Sequence, residues 1–139
     1  MDAEPALANP ADKLILLVDD DPSFLDLMEI VVSKAGFRTE RAVGGKEALG
    51  KVGTVHPDLI VLDMMMPGLG GYEVTRELQA GGFEGIPVVM VTGRRMDRAS
   101  VDALRREANV REFLEKPVRA AVLVMAIHKV LNTKPAAGA

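Results

Sequence analysis

Apolar and polar positions along the chain fall into blocks of two kinds. Three short, unbroken apolar runs, Leu14–Val18, Leu59–Leu62 and Val88–Val91, are each followed by a polar residue, Asp19, Asp63 and Thr92 respectively. Runs of this length without polar interruption predict strands buried on both faces. Two further segments, Phe37–Ala42 and Glu112–Glu115, mix polar and apolar residues and predict half-exposed strands. Between these segments the apolar residues recur at helical spacing. Asp21-Pro22 reads as a helix cap followed by proline in the first turn. Phe24, Leu27, Met28, Val31 and Ala35 then form the predicted buried stripe, and Gly36 suits the helix stop. Lys46–Val52 and Tyr72–Ala80 predict two more helices, the second followed by a turn at Gly81, Gly82 and Gly85. Asp97–Glu107 predicts a charged helix with Val101, Leu104 and Ala108 on one side, and Val118–Leu131 predicts the last helix.

Five strands alternating with five helices predict an α/β fold, a parallel sheet covered on both faces. The first, third and fourth strands are apolar throughout, as central strands should be. The second and fifth carry polar residues and suit the edges. The resulting order is 2-1-3-4-5, a doubly wound arrangement whose winding reverses between strands 1 and 3. Ligands of such sheets bind outside the carboxyl ends of the strands at that reversal. Asp19, Asp20 and Asp21, then Asp63, Thr92 and Lys116, all fall on that rim.

Composition narrows the setting. The 139 residues are enough for one domain and too few for two ordinary ones. Residues 1–12, rich in Ala, Pro and Asp, predict a loose arm; residues 13–132 form the folded domain, and residues 133–139 a flexible tail or linker. The net charge of −3 gives no reason to expect direct nucleic-acid binding. The absence of cysteine excludes disulfides and thiolate metal sites. No apolar run approaches the roughly 20 residues of a membrane span, and the start lacks the regions of a signal peptide. A cytoplasmic, soluble protein is the expectation.

The chemistry of the rim is restricted. Clustered carboxylates repel one another, so they raise a pKa or hold a cation. Hard oxygen donors without His or Cys suit Mg²⁺, which accepts phosphate oxygens as further ligands. A carboxylate can act as a nucleophile and form an aspartyl phosphate. Lys116 and the Thr92 hydroxyl could each serve an oxygen of a transferred phosphoryl group. A nucleotide or flavin site fits poorly, because the turn after strand 1 is Asp19-Asp20-Asp21-Pro22 rather than a glycine-rich phosphate cradle.

With these pieces in place the sequence resembles the receiver domains of two-component response regulators, whose fold is flavodoxin-like. The resemblance rests on Leu14–Pro22, on Pro57–Gly68 containing Asp63, and on Gly71-Tyr72-Glu73. It continues through Val88–Gly93 and Phe113-Leu114-Glu115-Lys116-Pro117. It implies that Asp63 is the phospho-acceptor, that Asp20 binds Mg²⁺ directly with Asp19 assisting, and that the backbone carbonyl of Met65 completes the protein ligands. It further implies a switch pair of Thr92 and Phe113, and a Lys116 that contacts the phosphoryl group beside a cis bond to Pro117. The donor would be a sensor histidine kinase or phosphotransfer protein. The output would be read by a downstream effector, or by a second copy in a homodimer, on the face of helix 4, strand 5 and helix 5.

The chain departs from the family pattern in places. Gly70 stands where Asp or Asn is common, which weakens capping of the third helix. Asn109-Val110 replaces a common Gly-Ala; Asn tolerates a left-handed conformation there. Met65 and Arg94 occupy positions that tune phosphoryl lifetime, and neither suits positioning of an attacking water, so a lifetime longer than seconds is expected. Two rival readings are a haloacid-dehalogenase-type hydrolase and a degenerate receiver acting as a scaffold. The hydrolase would want a second Asp where Met65 stands, and the scaffold would lack the acids or the lysine that are present here.

Ordinary roles account for the remaining candidates. Asp21 is a cap. Met64, Met65 and Met66 are packing side chains, and His56 and His128 are isolated surface residues. Phe113 could be simple core. The last helix carries Val118, Leu123, Val124, Ile127 and Leu131 as a buried stripe. Ala121, Val122, Met125 and Ala126 remain, as either a partner surface or a tightly covered flank.

Overall fold

The computed structural model describes residues 6–93 and 97–135. Within them lie five strands and five α-helices in alternation: β1 (Leu14–Asp19), α1 (Pro22–Lys34), β2 (Arg38–Val43), α2 (Gly45–Val55), β3 (Leu59–Asp63), α3 (Gly71–Ala80), β4 (Val88–Thr92), α4 (Arg98–Arg105), β5 (Val110–Glu115) and α5 (Ala120–Leu131). All strands pair in parallel, in the order β2-β1-β3-β4-β5. This is the flavodoxin-like, doubly wound sheet expected from strand character. Every residue of β1, β3 and β4 is buried.

Side chains alternate across the sheet. Ile15, Leu17, Leu59, Val61, Val89 and Val91 point to one face, where Leu25, Met28 and Val32 of α1 and Leu123 and Ile127 of α5 cover them. Leu16, Val18, Ile60, Leu62, Val88 and Met90 point to the other, against α2, α3 and Leu104 of α4. The same alternation sets the rim. Asp19 and Asp63 continue the α1–α5 side, whereas Thr92 continues the side of α4. Asp21 caps α1 by accepting from Ser23 N at 3.0 Å, with Pro22 in the first turn. Gly36, at φ +102, makes the left-handed turn out of α1 that other residues would resist.

Several expectations are corrected by packing. The core face of α1 is Leu25, Met28 and Val32, not a stripe through Leu27, which is 54% exposed. The helix is rotated so that its apolar excess spills onto the outer surface. α4 ends at Arg105, and Ala108 lies beyond it, exposed. Asn109 is not left-handed; its role is carried by its buried side chain. The Asn109 Oδ1 accepts from Gln79 Nε2 at 2.9 Å, and its Nδ2 donates to the Thr75 carbonyl at 3.3 Å, tying β5 to α3. His128 is buried, tilted against the Phe37 ring with centroids 5.0 Å apart and bonded to the Thr133 hydroxyl at 2.7 Å. Burial lowers its pKa. His56 is exposed as expected, and it adopts the left-handed conformation that closes α2.

The predicted arm and tail are structured where they are described. Pro10–Asp12 forms a 3-10 helix capped by Asn9. Ala8 pairs with the segment after α5, donating to Asn132 O at 2.9 Å and accepting from Lys134 N at 2.8 Å. In α5, Ala126 is buried, whereas Ala121, Val122 and Met125 are exposed, which divides the two readings of that helix.

Candidate functional site

The candidate site is built at the carboxyl ends of β1, β3, β4 and β5. Asp19 ends β1 with its side chain fully buried, and its Oδ1 accepts from Asp21 N at 2.9 Å. Asp20, next in the chain, is exposed. Asp63 ends β3, buried, with its Oδ1 accepting from Met65 N at 3.3 Å. One carboxylate oxygen from each of Asp19, Asp20 and Asp63 lies within 4.8 Å of the others. Lys116 approaches from the loop after β5, its Nζ 3.2 Å from Asp19 Oδ2 and 3.7 Å from Asp63 Oδ1. Its backbone N donates to Thr92 O at 2.8 Å, and the Lys116–Pro117 bond is cis. Thr92 is buried at the end of β4.

The electrostatics follow from crowding. Burial, reinforced by the negative charge of Asp19, pushes the Asp63 carboxyl up to about 6 against the opposing pull of Lys116. Burial also raises Asp19, while the Asp21 N–H and Lys116 hold it down. Two buried carboxylates share one ammonium, so the cluster carries uncompensated negative charge that a cation would relieve. Its donors are all carboxylate oxygens, two inside and one at the surface. That set fits a hard divalent ion with room for water or phosphate oxygens.

The structure brings Asp19, Asp20, Asp63, Thr92 and Lys116 to one rim. Met65, expected to pack, is 65% exposed on the loop after Asp63, and Met66 is the buried one. Phe113 is half-buried on β5 with the Arg105 guanidinium 5.0 Å above its ring. A cavity of about 210 Å³ lies between Thr92, Val101, Arg105 and Phe113. Gly70 precedes α3 with no side-chain cap, as its residue type implies. Arg94 lies outside the described residues.

Two contributors escaped the sequence reading. Phe24, assigned to the core stripe, lies with its ring 4.6 Å below the Lys116 ammonium and helps hold it over the site. A Cβ at Gly71 would meet the Asp63 carbonyl and Met64 Cα at 2.8 Å, so glycine lets α3 start directly against the acceptor strand. The sequence signal was the Gly70-Gly71 pair before the helix, part of the family resemblance, which by itself names no neighbour.

The family model for the response regulator receiver domain matches residues 15–128. The chain belongs to the response regulator receiver family. It is a receiver domain of two-component signalling, and its sheet order is that of its structural neighbours. The receiver is 39% identical over 110 residues to the DNA-binding response regulator MtrA of Mycolicibacterium smegmatis, an alignment covering 79% of this chain and 46% of that protein. It is 35% identical over 126 residues to the response regulator MprA of Mycolicibacterium vanbaalenii, covering 90% of this chain and 53% of that one. The chain therefore spans about half the length of the curated relatives it matches. A crystal structure of a response regulator from Chloroflexus aurantiacus superposes with TM-score 0.76 at 29% identity, covering 86% of this receiver and 97% of that chain. Among the described residues no helix is long and apolar enough to cross a membrane.

Proposed function

We propose that Asp63 is the phospho-acceptor of this receiver, taking a phosphoryl group from a phosphohistidine on a sensor histidine kinase or phosphotransfer protein. The observation that carries this reading is the convergence of three carboxylates within 4.8 Å with Lys116 beside two of them. An oxygen of Asp63 attacks phosphorus, the P–N bond to the donor imidazole breaks, and the imidazole leaves with its electron pair and takes a proton. No general base is required, since a carboxyl of pKa about 6 is ionised at pH 7.

Asp19, Asp20, Asp63 and the Met65 carbonyl would hold Mg²⁺, which when bound supplies charge neutralisation for phosphoryl oxygens. Lys116 orients and neutralises another oxygen, with Phe24 fixing the ammonium. Thr92 donates its hydroxyl to a third. Its movement opens the space into which Phe113 turns, and the α4–β5–α5 face carries the change to an effector.

Hydrolase chemistry has less support. Met65, two residues after Asp63, has no acid–base group, and it faces solvent. The reading is of a signalling module whose acyl phosphate outlasts seconds. A cytoplasmic setting, where kinase domains present their phosphohistidine, fits it. Direct DNA contact by this domain is unsupported by its net charge of −3. The α4–β5–α5 face would serve a downstream effector or a second copy; of the exposed large apolar side chains among the described residues, Val122 and Met125 lie on α5 and none on α4 or β5.

Incubation with Mg²⁺ and a small acyl phosphate, followed by intact mass, tests the acceptor. A single labile phosphoryl adduct is expected, lost in Asp63→Asn and strongly reduced in Asp20→Asn. An adduct retained in Asp63→Asn would overturn the assignment.

A further inference from the structure

One buried titratable group has no part in the phosphoryl chemistry. His128 lies near the carboxyl end of α5, its ring tilted against Phe37 and its Nδ1 2.7 Å from the Thr133 hydroxyl. Its surroundings join the segment after α5 to the arm before β1. Asn132, left-handed at φ 51, ends α5 and turns the backbone back, so that Thr133 N donates to the His128 carbonyl at 3.1 Å. The turn brings Thr133, itself buried, to the ring. Ala8 pairs with the same segment, donating to Asn132 O and accepting from Lys134 N. Two residues on, Pro10 lies against the turn between α1 and Phe37, where a Cβ on Gly36 would stand 3.4 Å from Pro10 Cβ. The contacts close a circuit through Phe37, His128, Thr133, Ala8 and Pro10, back to the turn before Phe37.

We propose that the arm and the segment after α5 form a strap at the amino end of the sheet, latched by His128, and that protonation of His128 opens it. The charges around the ring give the latch its sign. α1 packs against α5 and contributes Lys34, which lines the same groove as His128. The α1 acids Asp26 and Glu29 are engaged with Arg41. On β5, Glu112 is engaged with Lys129 at 2.9 Å. The strap itself brings Lys134 and the uncharged Ala8 and Asn9. An imidazolium here would lose its water and gain no free carboxylate from these neighbours. The neutral ring can accept at one nitrogen and donate at the other, whereas the protonated ring only donates.

Burial lowers the His128 pKa in keeping with that setting. The strapped form therefore disfavours the proton. The strap is fully held above the ordinary imidazole value of 6.5 and weakens as pH falls below it, down to the depressed value. Within that window each pH unit shifts the opening equilibrium by up to about tenfold. Opening releases the arm and the segment after α5 together. The Asp63 rim, at the carboxyl ends of the strands, keeps its geometry, so the latch acts independently of the acceptor.

NMR of the full chain from about pH 8 to about pH 5, across the imidazole range, tests this. The His128 ring is expected to titrate below its ordinary value. Protection of the Ala8 and Lys134 amides against exchange, corrected for the intrinsic rate, is expected to fall at least about threefold over the same range. Protection in β1 and β3 holds. His128→Gln, neutral throughout, makes the strap's protection independent of pH, whereas His56→Gln leaves the pH response intact. Thr133→Val removes the ring's partner and lowers the protection at every pH, with the Asp63 adduct still formed. Strap protection indifferent to the His128 titration, a pH response that survives His128→Gln, full protection in Thr133→Val, or an equal loss in β1 and β3 would each overturn the latch.

Discussion

At the scale of single residues, Asp63 is a carboxylate held where its charge is expensive. Its pKa is raised from 3.8 to about 6, chiefly by burial and then by Asp19. The folded state therefore favours the protonated form. The stability that protonation brings is complete below pH 3.8 and lost as pH rises through about 6. In a chelating buffer at pH 7.5, Asp63→Asn should raise the unfolding free energy by about 3 kcal/mol, since one pKa unit corresponds to about 1.4 kcal/mol. The gain should shrink toward zero as pH falls to 3.8. Urea denaturation across that range checks it; a variant less stable than the parent at pH 7.5 would argue that the site is not strained by charge. The sequence alone pointed to Asp63 through its place at the end of an apolar run. It could not reveal the cost of its charge, because that depends on how closely Asp19 and Lys116 approach from 44 residues before and 53 after.

At the scale of elements, two contacts between neighbours carry most consequence. Arg105 of α4 lies over the Phe113 ring of β5, beside the cavity that Phe113 would fill on switching. An exposed cation–π contact is worth about 0.5–1 kcal/mol. Removing it in Arg105→Ala should release Phe113 and speed phosphorylation by acyl phosphate about two- to fivefold, with the stronger effect absent in Phe113→Ala, where nothing remains to release. Equal rates in the parent and Arg105→Ala would dismiss the contact. The second contact is Asn109, whose side chain joins β5 to Gln79 and Thr75 of α3. Asn109→Leu leaves buried polar partners unpaired and should cost about 1–3 kcal/mol in thermal or urea unfolding, while adduct formation at Asp63 persists. Sequence reasoning located both segments but misread the asparagine as a backbone accommodation. Side-chain partners in another element leave no mark in local spacing.

Across the whole molecule, the sheet gathers acids from two separated strands onto one rim, where a bound cation would relieve their mutual repulsion. Mg²⁺ that binds only the folded form stabilises it by mass action, about 2.7 kcal/mol at a hundredfold excess over the dissociation constant. The thermal midpoint should rise by several degrees with Mg²⁺ in the parent and little in Asp20→Asn, read by differential scanning calorimetry. An equal rise in both would place the ion elsewhere. Sequence by itself determined the strand order, the two-faced core and the set of residues on the rim. Those follow from runs of apolar residues and from the alternation of strand and helix, which act locally and repeat along the chain. Only the tertiary structure decided which side of α1 is buried, that His128 lies inside against Phe37, that Met65 faces solvent, and that Lys116 rests between Asp19, Asp63 and Phe24. Each of these depends on the rotation of one element against another, which is set by packing among residues distant in sequence.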